Sequence, residues 1–152
     1  MKLIAYIDGS SQGNPGESGY GVVLKRDDGH VLETFGRYIG SGTNNTAEYQ
    51  GLLGCLKRIG KYKPSSLTVY SDSQLLVNQI NGTYRVKKSH LKILHSHVME
   101  VLGALSIEFR IFYIAREKNK EADRLARQAI CLRSEVKGEV RGDFEDPPAQ
   151  DG

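Results

Sequence analysis

Apolar residues fill nearly every position of "MKLIAYID" instead of alternating, the pattern of a strand buried on both faces. "GYGVVLKRDDGHVLETFGRYI" then carries two β-rich runs around Asp28-Gly29, a hairpin signal, so the first part of the chain predicts three antiparallel strands. From Asn45 the period changes. Tyr49, Leu52, Leu53 and Leu56 recur at i, i+3, i+4 and i+7, which predicts an amphipathic helix ending near Gly60. "SLTVYSD" returns to strand. A short helix follows in "SQLLVNQI", closed by Asn81-Gly82, then a basic connector, "TYRVKKS", and a longer helix from about His90 to Leu105. The strand "IEFRIFYI" and a last helix in "NKEADRLARQAI" complete the pattern. The order β-β-β-α-β-α-α-β-α predicts an α/β domain with a mixed five-stranded sheet: an antiparallel meander, then right-handed crossovers to parallel strands, with helices on the faces.

The 152 residues suffice for one domain with a substantial core. Cys55 and Cys131 are isolated thiols, neither a disulfide framework nor a metal-site spacing. Asp8 interrupts the apolar opening too early for a signal-peptide core, and no later run reaches bilayer length. These features predict a soluble cytoplasmic protein with no membrane partner. The net charge of +3 is unevenly spread: residues 133–152 hold three basic and six acidic residues, leaving +6 on residues 1–132. The division expected is a folded domain over 1–132 and an acidic, disordered tail over 133–152, which has almost nothing apolar to bury. A basic domain favours a polyanionic partner, although solvated surfaces often carry a similar excess.

Four carboxylates stand in awkward places. Asp8 follows Tyr6 by two and Asp72 follows Tyr70 by two, so each shares a strand face with its Tyr. If the two strands are parallel neighbours, both carboxylates lie side by side at the carboxyl edge, where open α/β sheets bind ligands. Glu48 precedes Leu52 by four and flanks the apolar stripe of its helix; Asp123 borders the stripe formed by Ala122, Leu125, Ala126 and Ala129. Taken singly, each has a plainer explanation as a turn, cap or helix-dipole residue. Together they would repel unless protonated or neutralised by cations. Oxygen ligands without His or Cys suit Mg²⁺ or Mn²⁺, and two such ions about 4 Å apart clamp a phosphodiester in line.

With these residues placed, the chain resembles ribonuclease HI, the family that cuts the RNA strand of RNA/DNA hybrids. The resemblance covers about residues 2–131 and rests on "YIDGSSQGNPG", "NNTAEYQGL", "YSDSQ" and "REKNKEADRLA", in the family's order and spacing. It implies a ribonuclease H-like sheet and an endonuclease leaving 3′-hydroxyl and 5′-phosphate ends. It also implies that Asp8, Glu48, Asp72 and Asp123 are catalytic and bind two Mg²⁺, with Mn²⁺ as a substitute. Asn14, Asn44, Asn45 and Gln74 are implied to face the hybrid's minor groove, with Thr43 near its backbone and Gly9 and Ser10 also against substrate. Asn and Gln side chains can read the 2′-hydroxyl that marks RNA. The plainer role for one of Asn44 and Asn45 is helix capping. Lys87, with Arg85, Lys88 and Lys92, offers charge for DNA-strand phosphates, or simply a solvated basic face.

Two departures separate the chain from many relatives. The loop before the last helix, "YIAREKNKEAD", lacks the His they carry, leaving Arg116 or Glu117 to occupy that space. The short, Trp-free "TYRVKKS" replaces a Trp-rich basic handle. Both features resemble archaeal and related short forms. His95 and His97 point to different faces of one helix, and with His30 and His90 they form no ligand set. A monomer acting on hybrids is expected, with double-stranded RNA as a further candidate substrate. The competing readings are a catalytically weak or inactive binding module for hybrid or double-stranded RNA, and a resolvase- or transposase-like enzyme with another substrate.

Overall fold

The computed structural model describes residues 1–138. Strands β1 (Lys2–Gly13), β2 (Gly16–Arg26) and β3 (Val31–Gly42) form the antiparallel meander, followed by α1 (Asn44–Ile59) and β4 (Ser66–Ser71). Then come α2 (Gln74–Ile80), α3 (Ser89–Leu105), β5 (Glu108–Tyr113), α4 (Lys120–Leu132) and β6 (Val136–Lys137). The sheet order is β5-β4-β1-β2-β3-β6, with β4 parallel to both β1 and β5. The β2–β3 turn closes at Gly29, whose φ of 93° suits a residue without a side chain and whose N–H reaches the Arg26 carbonyl at 3.0 Å. No helix among the described residues is long and apolar enough to cross a membrane.

Two expectations need correction. The sheet has six strands, because Val136 and Lys137 pair with Gly36 and Phe35 and Val136 buries its side chain in the cluster of Leu125 and Ala129. One apolar residue in a two-residue strand leaves no periodicity to read. Residues 133–138, expected to begin the tail, therefore lie on the domain; the rest of that tail, 139–152, falls outside the described residues. Strand β1 also does not stop at Asp8. Its pairing with β4 ends at Ile7↔Ser71, but pairing with β2 continues to Gly13↔Gly16, so Asp8 sits where β1 loses its β4 neighbour and runs on beside β2 alone.

The main core lies on one face. Leu3, Ala5, Ile7, Val22, Leu24 and Phe35 meet Tyr49, Leu52, Leu56 and Ile59 of α1, with Leu91 and Val98 of α3 behind them. On the opposite face α4 lies against β2 and β3 across a row of glycines. A Cβ on Gly21 would stand 2.1 Å from the Ala122 carbonyl oxygen, and one on Gly36 2.3 Å from that of Leu125. Helix backbone thus touches sheet backbone, which settles the height of α4 above the sheet.

Gly21→Ala should therefore cost roughly 1–3 kcal/mol or more in urea unfolding, since neither opposed backbone can yield cheaply. Gly103→Ala, exposed in α3 with nothing within 4 Å, should be neutral or gain at most about 1 kcal/mol. Equal effects at both positions would show that the close approach of α4 does not constrain the fold.

Candidate active site

The central pairing of the sheet brings the first two carboxylates together. Tyr6 and Tyr70 are direct partners in the parallel β1–β4 register, and their rings stack with centroids 5.3 Å apart. Two residues further on, on the same face, stand Asp8 and Asp72.

Glu48 arrives from the first turns of α1. Thr43 caps that helix: its hydroxyl accepts from the Thr46 N–H at 3.1 Å, and the Thr46 side chain accepts from the Thr43 N–H at 2.8 Å. Gly9 lets the helix approach, because a Cβ there would fall 2.3 Å from the Glu48 nitrogen. The Gly9 N–H donates to Glu48 Oε1 at 3.0 Å. The glycine after Asp8 is thus a packing and orienting residue, whatever else passes near it.

Asp8, Glu48 and Asp72 each place a carboxylate oxygen within 4.8 Å of the other two. Asp8 and Glu48 are 5% and 8% exposed, so water does little to screen them. Burial, followed by the charges of Glu48 and Asp72, pushes the Asp8 carboxyl up to about 10. Burial likewise holds Glu48 well above the usual carboxylate range, with Asp72 adding to the effect and the Gly9 N–H and Arg116 opposing it.

Asp123 stands at the margin of this group. It lies near enough to Asp8 to contribute to its raised pKa, yet its carboxylate pairs with Arg127 one turn on, at 3.1 Å. Of the four carboxylates expected to converge, three meet tightly and the fourth adjoins them on a helix flank.

The other expected site residues divide. Asn14 Oδ1 accepts from the Asn44 N–H at 3.1 Å, tying the tip of the β1–β2 arm to the start of α1. Thr43 being the cap, both Asn44 and Asn45 leave their side chains for other uses. Asn45 lines a cleft of 520 Å³ with Tyr84, Arg85, Lys87 and Lys88. Ser10 lies on β1 opposite Gly19, and Gln74 is exposed in the first turn of α2, which Ser73 caps. Arg116 is 84% exposed and its Nε lies 3.8 Å from Asp72 Oδ2, the one cation paired to the tight trio among the described residues. No histidine belongs to this cluster.

Sequence reasoning missed two buried amides. Asn119, 2% exposed, donates from Nδ2 to the Ile7 carbonyl at 2.7 Å, fastening the loop before α4 to β1 beside Asp8. Gln79 accepts from the Tyr49 hydroxyl at 2.6 Å and donates to the Arg85 carbonyl at 3.4 Å, latching the basic connector to α1. For Asn119 a signal existed: it precedes Asp123 by one helical turn. Gln79 offered none, since a single polar residue near the end of a short helix looks solvated.

A family model described as reverse transcriptase-like matches residues 6–129. A bifunctional protein of Mycobacterium tuberculosis is 39% identical over 134 residues, covering 86% of this chain and 36% of that protein, so the chain spans little more than a third of that relative. RNase H1 from the halophilic archaeon Halobacterium salinarum is similar in structure, with a TM-score of 0.83 and 32% identity over 87% of this chain and 99% of that one. LC11-RNase H1, solved in complex with an RNA/DNA hybrid, gives a TM-score of 0.83 and 34% identity over 86% and 98% of the two chains. The chain belongs to the ribonuclease HI family. That family is metal-dependent, and three buried carboxylates facing one another with a single long ion pair suit a hard divalent cation.

The crowding has a measurable cost without metal. The folded state holds Asp8 protonated far above its unfolded value of 3.8, so folding takes up a proton, and stability falls as pH rises from about 4 towards about 10. In EDTA at about pH 8, Asp8→Asn should stabilise the protein by on the order of 2 kcal/mol, and near pH 4 the difference should vanish. Thermal melts across pH check this; a variant less stable than wild type at about pH 8 would contradict it.

Proposed function

We propose that the chain is an endonuclease that hydrolyses the RNA strand of RNA/DNA hybrids, leaving 3′-hydroxyl and 5′-phosphate ends. The observation carrying this reading is the trio of buried carboxylates within 4.8 Å, opening beside a basic cleft. Asp8, Glu48, Asp72 and Asp123 are the groups that would hold two Mg²⁺, or Mn²⁺ in their place. When bound, these ions supply the positive charge that polarises the scissile phosphodiester and activates water.

The chain's own residues do the rest. Strand pairing and the Gly9 N–H aim the carboxylates before any ligand arrives, so little reorganisation accompanies the reaction. Asn44 and Asn45 at the start of α1, with Gln74 and the Asn14 turn, present amides to a wide, shallow groove and its 2′-hydroxyls. Lys87 and Lys88 line the adjoining cleft, suited to the phosphates of the DNA strand. Arg116 stands beside Asp72 in the loop where many relatives carry a His. A guanidinium stays protonated, so Arg116 does not shuttle protons; it holds backbone phosphate or departing product.

Asp8→Asn and Asp72→Asn should each lower Mg²⁺-dependent cleavage of a labelled hybrid by at least about a thousandfold while circular dichroism stays native. Mg²⁺ should raise the melting temperature of wild type and not of Asp8→Asn, a readout independent of turnover. Lys87→Ala/Lys88→Ala should raise KM and flatten its salt dependence. Full cleavage by either Asn variant would sink the assignment; hybrid binding with no cleavage by wild type in Mg²⁺ or Mn²⁺ would favour a binding module instead.

A further inference from the structure

Tyr20 is 5% exposed as a whole residue; its hydroxyl has no hydrogen-bond partner among the described residues and keeps a contact with solvent. Its ring runs along α1 past two glycines. A Cβ on Gly51 would meet the Tyr20 Cβ at 3.2 Å, and one on Gly54 would strike the hydroxyl at 2.3 Å. The helix is notched where the phenol passes, and the hydroxyl emerges between α1 and β3. A cleft of 350 Å³ opens there, with Gln50, Lys57 and Arg58 on the α1 side and Arg37 on β3. It shares no residue with the acidic trio or with the 520 Å³ cleft.

The cations around it are unequally engaged. Arg58 stacks over the Phe35 ring, 4.0 Å from its centroid, and its guanidinium is divided between Glu33 at 2.6 Å and Glu135 at 3.4 Å. Arg37 and Lys57 are exposed and in no ion pair among the described residues. Burial raises the Tyr20 pKa while the charges of Arg37 and Arg58 pull it down. The phenol remains a neutral donor, facing a cleft of positive charge.

The cleft thus gathers an O–H donor without a protein partner and two cations outside any ion pair among the described residues, and no carboxylate is among its lining residues. One ligand engages the donor and the cations together, a compact anion with several acceptor oxygens. We propose that this cleft binds a phosphate monoester group, whether free phosphate or the terminal phosphate of a nucleotide. The Arg37 fork takes two oxygens, Lys57 adds a point charge, and the Tyr20 hydroxyl donates to a third oxygen. A phosphate monoester carries three non-bridging oxygens for these donors, where a phosphate within a continuous backbone carries two. The site is independent of the proposed cleavage reaction.

The test is an amide chemical-shift titration of the metal-free 152-residue chain with inorganic phosphate, with adenosine 5′-monophosphate, and with a hybrid bearing 5′-hydroxyl ends. Either small anion should give saturable shifts at Arg37, Gly54 and Lys57, and the hybrid should not. Tighter binding of the nucleotide would identify it as the ligand, and equal binding the bare phosphate group. Arg37→Ala/Lys57→Ala should weaken binding about tenfold or more, and Tyr20→Phe, which keeps the ring and the fold, by about fivefold. Hybrid cleavage should be unchanged in both variants. Linear shifts without saturation, equal affinity in the double variant, or shifts at these amides with the hybrid alone would overturn the proposal.

Discussion

Repulsion among Asp8, Glu48 and Asp72, held within 4.8 Å of one another and largely out of water, is the constraint that the surrounding structure must withstand. Asp8 sits in β1 just past the stretch that has a partner on each side, and the stacked Tyr6 and Tyr70 rings lie one step below on the same face. Glu48 stands at the end of a helix whose apolar side, from Tyr49 to Ile59, is almost wholly buried, and the Gly9 N–H takes hold of its carboxylate. Separating the charges means breaking strand pairing or lifting α1 from the sheet. Retaining protons or binding cations costs less.

The opposite face of the sheet is built on another principle. There α4 rests directly on the glycines of β2 and β3, and Asn119 fastens the loop before it to the Ile7 carbonyl, one residue from Asp8. The position of Asp123 is therefore set by backbone contact and one buried amide. Its carboxylate is more exposed than those of the other three and is paired with Arg127.

Helix α1 organises both flanks of the domain. Its start supplies Glu48, and Asn45 looks towards a cleft whose basic wall is latched back by the Tyr49–Gln79 hydrogen bond. Further along, the notch at Gly54 seats Tyr20 and opens the second cationic cleft towards β3. Between these clefts the helix buries its apolar stripe, so changes at either flank meet the same stiff core.

Much of this was readable from residue order. The period of Tyr49, Leu52, Leu53 and Leu56, the Asp28-Gly29 turn and the spacing of two from Tyr6 to Asp8 and from Tyr70 to Asp72 are local signals, and local signals survive in a linear string. They determined the elements, their type and the candidate carboxylates. Tertiary structure alone decided how closely those carboxylates approach, that Asp123 turns to Arg127, that Gly9 serves to admit α1, and that Val136 adds a sixth strand. It alone made Asn119 and Gln79 buried links and left the Tyr20 hydroxyl facing cations. The physical reason is that a periodic pattern states which face a residue takes, whereas distance, burial and hydrogen-bond partners depend on segments far away in the chain that meet only when it folds.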